Sequence, residues 1–240
     1  MDKLSSRFFT NEDSKTDFFV YDLPETWWSR KYEYEWAKNF VEQNDVVLDA
    51  ASGVFHPLKF YLANTCKEVY ACDLDESIEV ENLAQIDKKI LDENSINYEQ
   101  LGKITEILST KKIHNKRCSI TKLPYEDNKF DKIFCISVLE HLDDRFNKKY
   151  NRFKPLIPFM KFINPKDLFE AMKEFKRVLK NNGTIILTFD YPNISLEYFK
   201  KILELLDLEF VSDYNFELPQ NAIYSEVYER YCFRAVIKKK

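Results

Sequence analysis

The residues best suited to chemistry stand where apolar runs stop. The run Val46–Leu48 ends on Asp49 and is followed by Gly53, one of only 3 glycines in 240 residues. A second run, VYAC, ends on Asp73, 24 residues beyond Asp49. Glycine at a strand-to-helix turn lets a ligand lie against bare backbone. A dinucleotide would need G-x-G-x-x-G there, and a carboxylate ending the strand would repel its pyrophosphate. The same carboxylate suits a ligand carrying positive charge, such as an ammonium or a sulfonium. Asp73 stands near the spacing of roughly 20 residues at which an acid accepts hydrogen bonds from ribose hydroxyls. Asp75, by contrast, reads as a helix cap. A plain tight turn would explain Gly53 alone; Asp49 tips the reading toward a cationic nucleoside.

The elements that must position these residues alternate. Strands are expected at 46–50, 68–74, 112–120, 130–139 and 184–190. Helical patterns lie at 55–63, in a mixed-charge region up to about Thr110 that breaks near Asn94–Ser95, at 165–179 and at 195–206. Asn181–Asn182–Gly183 reads as the turn between the helix at 165–179 and the strand after it. The runs LEFVSDYNF (208–216) and YERYCFRAVI (228–237) read as a closing antiparallel hairpin. This is an α/β protein with a mostly parallel sheet and helices on both faces. Its ligands belong at the carboxyl ends of the strands, which here carry Asp49–Gly53, Asp73–Asp75, Ser119–Ile120, Ser137–His141 and Asp190–Tyr191.

Composition narrows the class. With 45% hydrophobic and 32% charged residues the chain reads as a soluble globular protein, and its net charge of −4 gives no general attraction to nucleic acid or to acidic membranes. The five cysteines form no CxxC and no cluster with the three histidines, which argues for a reducing compartment and against a metal site. No apolar stretch approaches about 18 residues and the N-terminus has no signal-peptide pattern, so a cytoplasmic protein is expected.

The segments VVLDAASG, VYACDLD, LPYEDNKFDKIFCISVLEHL and FKRVLKNNGTIILT resemble, in that order, the motifs of class I S-adenosylmethionine-dependent methyltransferases of the small-molecule type. The resemblance spans about residues 46–190. It implies a Rossmann-like seven-stranded sheet and methyl transfer from a sulfonium donor, S-adenosyl-L-methionine. By position, Asp49, Ala51 and Gly53 would line the methionine part of the donor. Asp73 and Leu74 would hold its ribose, Ser119 and Ile120 would flank its adenine, and Ser137 and Val138 would close the pocket. The family usually has glycine where Ala51 and Phe55 stand, and often an acid at Ser119.

Methyl transfer is an in-line displacement in which positioning and desolvation carry much of the acceleration. An amine acceptor need only be neutral, whereas a hydroxyl usually requires a general base. His141 is the first candidate base, against the plainer reading that it only lines the pocket; Asp190 and Tyr191 are the alternatives. His56, beside the donor loop, could touch substrate.

Residues 8–36 hold ten aromatics, including all three tryptophans. Residues 1–45 are therefore read as an N-terminal cap region ahead of a catalytic domain at 46–240, with a helix running from Pro24 to about Val41. Arg30 and Tyr32 would hold the donor carboxylate from that helix, and Trp28 would meet the acceptor. An insertion at 145–161 has six basic residues and no acidic ones. It makes Lys148, Lys149 and Arg152 candidates for an anionic acceptor, although a solvated loop or a contact within a homo-oligomer would have the same composition. The favoured reading is a methyltransferase with a small polar acceptor: a sugar, a sugar nucleotide or a related phosphorylated polysaccharide intermediate. The alternatives are an RNA or protein methyltransferase docking through the insertion, with nucleic acid ranked below a small molecule, or a methyltransferase-like scaffold without activity.

Overall fold

A computed structural model describes residues 2–80, 91–92, 96–142 and 165–240. The strands are β1 (Arg7–Phe8), β2 (Val46–Ala50), β3 (Glu68–Asp73), β4 (Ile113–Arg117), β5 (Phe130–Ile136), β6 (Leu179–Tyr191), β7 (Leu208–Phe210), β8 (Tyr224–Ser225) and β9 (Arg230–Lys239). The longer helices among the described residues are α1 (Arg30–Ala37), α2 (Leu58–Thr65), α3 (Tyr98–Thr110), α4 (Pro165–Val178) and α5 (Leu196–Leu205).

The sheet runs β1-β9-β6-β5-β2-β3-β4, with β7 and β8 also paired to β9. From β4 to β6 all pairings are parallel, and β9 is antiparallel to every neighbour. The expected closing hairpin is therefore present as β7 and β9. The expected seven strands become nine, because β1 and β8 add two short strands. Both serve the same need. β9 is 10 residues long and β7 covers only Ile237–Lys239 of its outer edge. Phe233–Arg234 pairs with β1, and Arg230–Tyr231 pairs with β8. The three short strands together cover an edge that would otherwise present unpaired backbone.

Chain order reverses at β2, which lies between β3 and β5. The crevice beyond its carboxyl end is the site this topology provides for a ligand. One face of the sheet packs on α4 and α5 through Leu168, Met172, Phe175, Phe199 and Ile202. The other buries Phe9, Tyr21, Tyr34 and Trp36 from the aromatic N-terminal segment against Val47, Val69 and Phe134. No helix among the described residues is long and apolar enough to cross a membrane.

Two local expectations fail. The helix expected from Pro24 starts at Arg30, and residues 24–29 form turns. There Trp27 stacks on His56 with ring centroids 4.6 Å apart, a contact that overrides local helix preference. The expected Asn181–Asn182–Gly183 turn is instead part of β6, which follows α4 directly. Gly183 is needed for space. A Cβ there would lie 2.8 Å from the Asp131 carbonyl oxygen and 2.7 Å from Leu179 Cδ1, beside the register shift between Phe130 and Lys132. The break expected near Asn94–Ser95 lies outside the described residues.

Candidate active site

The loop leaving β2 has the shape a ligand cradle needs. Ala51 has φ 54° and Gly53 has φ 60°, so both adopt the left-handed conformation that glycine tolerates best. A Cβ on Gly53 would come within 2.5 Å of His56 Cδ2. Asp73 holds the loop from β3: one carboxylate oxygen accepts from the Gly53 N–H at 2.9 Å, the other from the Leu74 and Asp75 N–H groups. Asp49 is buried behind the loop, and its Oδ2 has no hydrogen-bond partner. Burial raises its pKa to about 7, with Lys59 pulling it down and Asp73 pushing it up. Lys59, on α2, is itself buried and donates to the Gly53 carbonyl. Burial lowers its pKa to about 8, against the pull of Asp49.

Asp49, Ala51, Gly53 and Asp73 line a cavity of about 320 Å³, which also takes in Arg30, Tyr34, His56, Ser137, Val138 and His141. A second chamber of about 250 Å³ adjoins it, walled by Trp27, Trp28, Glu140, Asp190, Tyr228 and Arg230. Arg30, His56, Ser137 and His141 line both. The two chambers therefore meet along a common wall.

That wall is held by Glu33 of α1, which is fully buried. Its carboxylate accepts from Arg30 Nη1 (2.6 Å), Ser29 Oγ (3.1 Å), Ser137 Oγ (2.6 Å) and Thr188 Oγ1. Burial works against its charge, but Arg30, Ser137 and Thr188 outweigh it and hold the pKa below the ordinary carboxylate value. Ser137, at φ 47°, is a strained non-glycine residue at the carboxyl end of β5. His56 is kept neutral. Burial, with Arg30 and Lys59 nearby, lowers its pKa to about 3, and its Nδ1 lies 2.9 Å from the Tyr34 hydroxyl. Asp190 faces the second chamber and pairs with Arg230 at 3.2 Å; burial first, then Glu33, raise its pKa. Glu140 is buried with neither carboxyl oxygen partnered, and its pKa is pushed well up by burial and by Asp190.

The sequence-derived candidates divide by position. Asp49, Ala51, Gly53, Asp73 and Val138 line the first cavity alone. Trp28 and Asp190 line the second, and Arg30, His56, Ser137 and His141 line both. Five candidates lie elsewhere. Leu74 is exposed, and Ile120 is buried in the core. Ser119 Oγ hydrogen-bonds Thr121 Oγ1 at 2.8 Å. Tyr32 packs near Phe9 at 6.3 Å, because on α1 only residues three and four apart share the face of Arg30. Tyr191 sits edge-to-face on Phe8 at 5.3 Å, since successive strand residues point to opposite faces and Asp190 takes the site side. Lys148, Lys149 and Arg152 lie outside the described residues. Sequence reasoning missed Tyr34, Glu33, Lys59, Glu140 and Arg230. Tyr34 and Glu33 had a signal in their spacing from Arg30; a buried lysine inside an apolar helix had none.

The donor set fits S-adenosylmethionine. The carboxylate at the end of β2 excludes a pyrophosphate, its unpartnered oxygen suits a cationic group, and Gly53 leaves a cradle that a side chain would fill. Among the described residues no group of His, Cys, Asp and Glu could hold a metal ion. A family profile described as "Methyltransferase domain" matches residues 48–153. No curated protein matches the chain by sequence. Among solved structures, the PH0226 protein of Pyrococcus horikoshii is similar at 17% identity and TM-score 0.52, covering 93% of this chain and 94% of its own. An S-adenosylmethionine-dependent methyltransferase from Clostridium acetobutylicum is similar at 14% identity and TM-score 0.52, with 91% and 93% covered. The cyclase SpnF has TM-score 0.57 at 12% identity, with 97% and 86% covered. Likeness at this level establishes the fold. The methyltransferase-domain match spans residues 48–153, and the fold is one that an S-adenosylmethionine-dependent methyltransferase shares.

Proposed function

We propose that the chain methylates a small polar acceptor held in the second chamber, with S-adenosylmethionine in the first. The observation that carries this reading is the shared wall: ligands filling both chambers would meet along Arg30, His56, Ser137 and His141. The cofactor supplies an activated methyl group; the residues supply position. Asp49 would face its positive charge, Asp73 its ribose hydroxyls and Arg30 its carboxylate. Ala51 keeps the left-handed φ of the glycine it replaces, so the loop retains its shape and the motive for an inactive scaffold weakens.

A chamber of about 250 Å³ suits a ligand of monosaccharide size and would admit one nucleobase but no duplex. The basic run at 145–161 supports an anionic or phosphorylated acceptor, with Lys148, Lys149 and Arg152 as its contacts. His141 and Asp190 are the candidate bases if a hydroxyl is methylated. We place the reaction in the cytoplasm.

Calorimetric titration with S-adenosylhomocysteine tests the first chamber, and one-to-one saturable binding is expected. Release of S-adenosylhomocysteine in the presence of phosphorylated sugars or nucleotide sugars tests the second. Turnover on RNA alone, with affinity falling steeply as salt rises, would replace the small acceptor by nucleic acid.

A further inference from the structure

We propose that Glu140 and Asp190 make the second chamber a site for a small amine, whose nitrogen is the atom methylated. This deepens the reading above and rests on it. Glu140 is 4% exposed, and neither of its carboxyl oxygens has a hydrogen-bond partner. A buried polar group left without a partner is costly, so the site is incomplete until a hydrogen-bond donor arrives. The charged groups around Glu140 are Asp190 on β6, Arg30 and Glu33 on α1, and Arg230 on β9. Both cations are engaged: Arg30 with Glu33 at 2.6 Å and Arg230 with Asp190 at 3.2 Å. The unmatched demand in the chamber is thus for N–H or O–H hydrogens.

Two features select nitrogen. An amine offers two or three hydrogens to the carboxyl pair, where a hydroxyl offers one. Trp27, Trp28 and Tyr228 line the same chamber, and aromatic faces attract ammonium groups. An anion at this end would face two carboxyls with both arginines already paired, so any phosphate belongs to a remote part of the acceptor.

The carboxyl pair also stands where charge arrives. The bound ammonium first gives one proton to the carboxyl pair, which passes it to water; the nitrogen lone pair so freed forms the N–C bond as the methyl–sulfur bond breaks, leaving that bond's electron pair on sulfur. Positive charge passes from sulfur in the first chamber to nitrogen in the second, beside Asp190 and Glu140. The methylated product leaves as its ammonium, so one proton is released per turnover.

The test uses protein loaded with S-adenosylhomocysteine, titrated with 2-aminoethanol or with ethylene glycol, a pair differing only in NH₂ against OH. Tryptophan fluorescence reports binding, because two of the three tryptophans line the chamber. The amine should bind at least about tenfold more tightly than the glycol, and Glu140→Gln should bring the two within about threefold while leaving S-adenosylhomocysteine affinity intact. If Glu140→Gln does not fold, Asp190→Asn gives the same readout. Equal binding, a preference for the glycol, no response to 2-aminoethanol, or an undiminished preference in the variant would each overturn the assignment. Failure of the unaltered protein to bind S-adenosylhomocysteine would overturn the methyltransferase reading itself, and this inference with it.

Discussion

The Glu33 carboxylate accepts a hydrogen bond from Ser137 Oγ at 2.6 Å, joining α1 to the end of β5 across 104 positions of sequence. The same carboxylate pairs with Arg30, which lines both chambers. One buried acid therefore fixes the N-terminal segment, a strained strand end and the guanidinium at the chamber wall. Removing one member of a buried, hydrogen-bonded charge pair is strongly destabilising.

Glu33→Ala should lose about 3–5 kcal/mol of stability by urea denaturation. The pH dependence carries a further signature. Because the folded pKa of Glu33 lies below its ordinary value of 4.5, its stabilisation is complete above that value and is lost as pH falls through the lowered one. The stability gap between wild type and Glu33→Gln should accordingly shrink in acid. A gap that stays constant down to acid unfolding would show that Glu33 acts by packing alone.

Ala51 holds a φ of 54° with a β-carbon attached. That conformation costs a non-glycine residue roughly 1–2 kcal/mol, partly offset by the greater unfolded-state entropy glycine would bring. Ala51→Gly should therefore stabilise the protein by about 0.5–1 kcal/mol and leave donor binding as tight or tighter. Gly53→Ala should do the reverse, since it adds both the strained φ and a 2.5 Å approach to His56. Destabilisation by Ala51→Gly would mean that neighbouring contacts have adapted to the methyl group.

Asp73 both faces the first cavity and anchors the loop through the Gly53 N–H. Asp73→Ala should weaken S-adenosylhomocysteine binding by about 1–3 kcal/mol, through loss of charged hydrogen bonds to ribose and a looser loop. Asp73→Asn, which keeps a carbonyl acceptor, should fall in between. Unchanged affinity in both variants would remove Asp73 from the donor site.

Much of this site was legible in the sequence because each strand that approaches it ends in a residue with a visible job. Asp49, Asp73, Ser137 and Asp190 all follow apolar runs, and the sheet topology alone brings those ends together. What escaped notice had weaker local signals. β1 and β8 are two residues each and exist only because β9 has an edge to cover. Four-residue spacing puts Tyr34, in place of the expected Tyr32, on the Arg30 face. Trp27 left its expected helix for a tertiary contact with His56, which no local propensity encodes. Lys59 looks like any surface lysine until α2 is packed. Glu140 reads as part of a common Glu-His pair, and its lack of a partner is a property of the packed chamber alone.

Donor binding should depend on pH through Asp49. Its Oδ2 is buried without a partner, and burial raises its pKa to about 7. Below that value Asp49 is largely neutral and offers no charge to a sulfonium; above it the carboxylate is present. Affinity for S-adenosylmethionine should therefore rise about tenfold between pH 6 and pH 8, with proton release on binding. Calorimetry in two buffers of different ionisation enthalpy measures that release directly. Asp49→Asn should abolish the pH slope and hold affinity near the low-pH value of the wild type. S-adenosylhomocysteine lacks the sulfonium charge, so it should show a shallower slope in the same experiment. A slope of equal size for both ligands would place the titrating group against the amino-acid part they share, and Asp49 would then be reading the donor's ammonium in place of its sulfur.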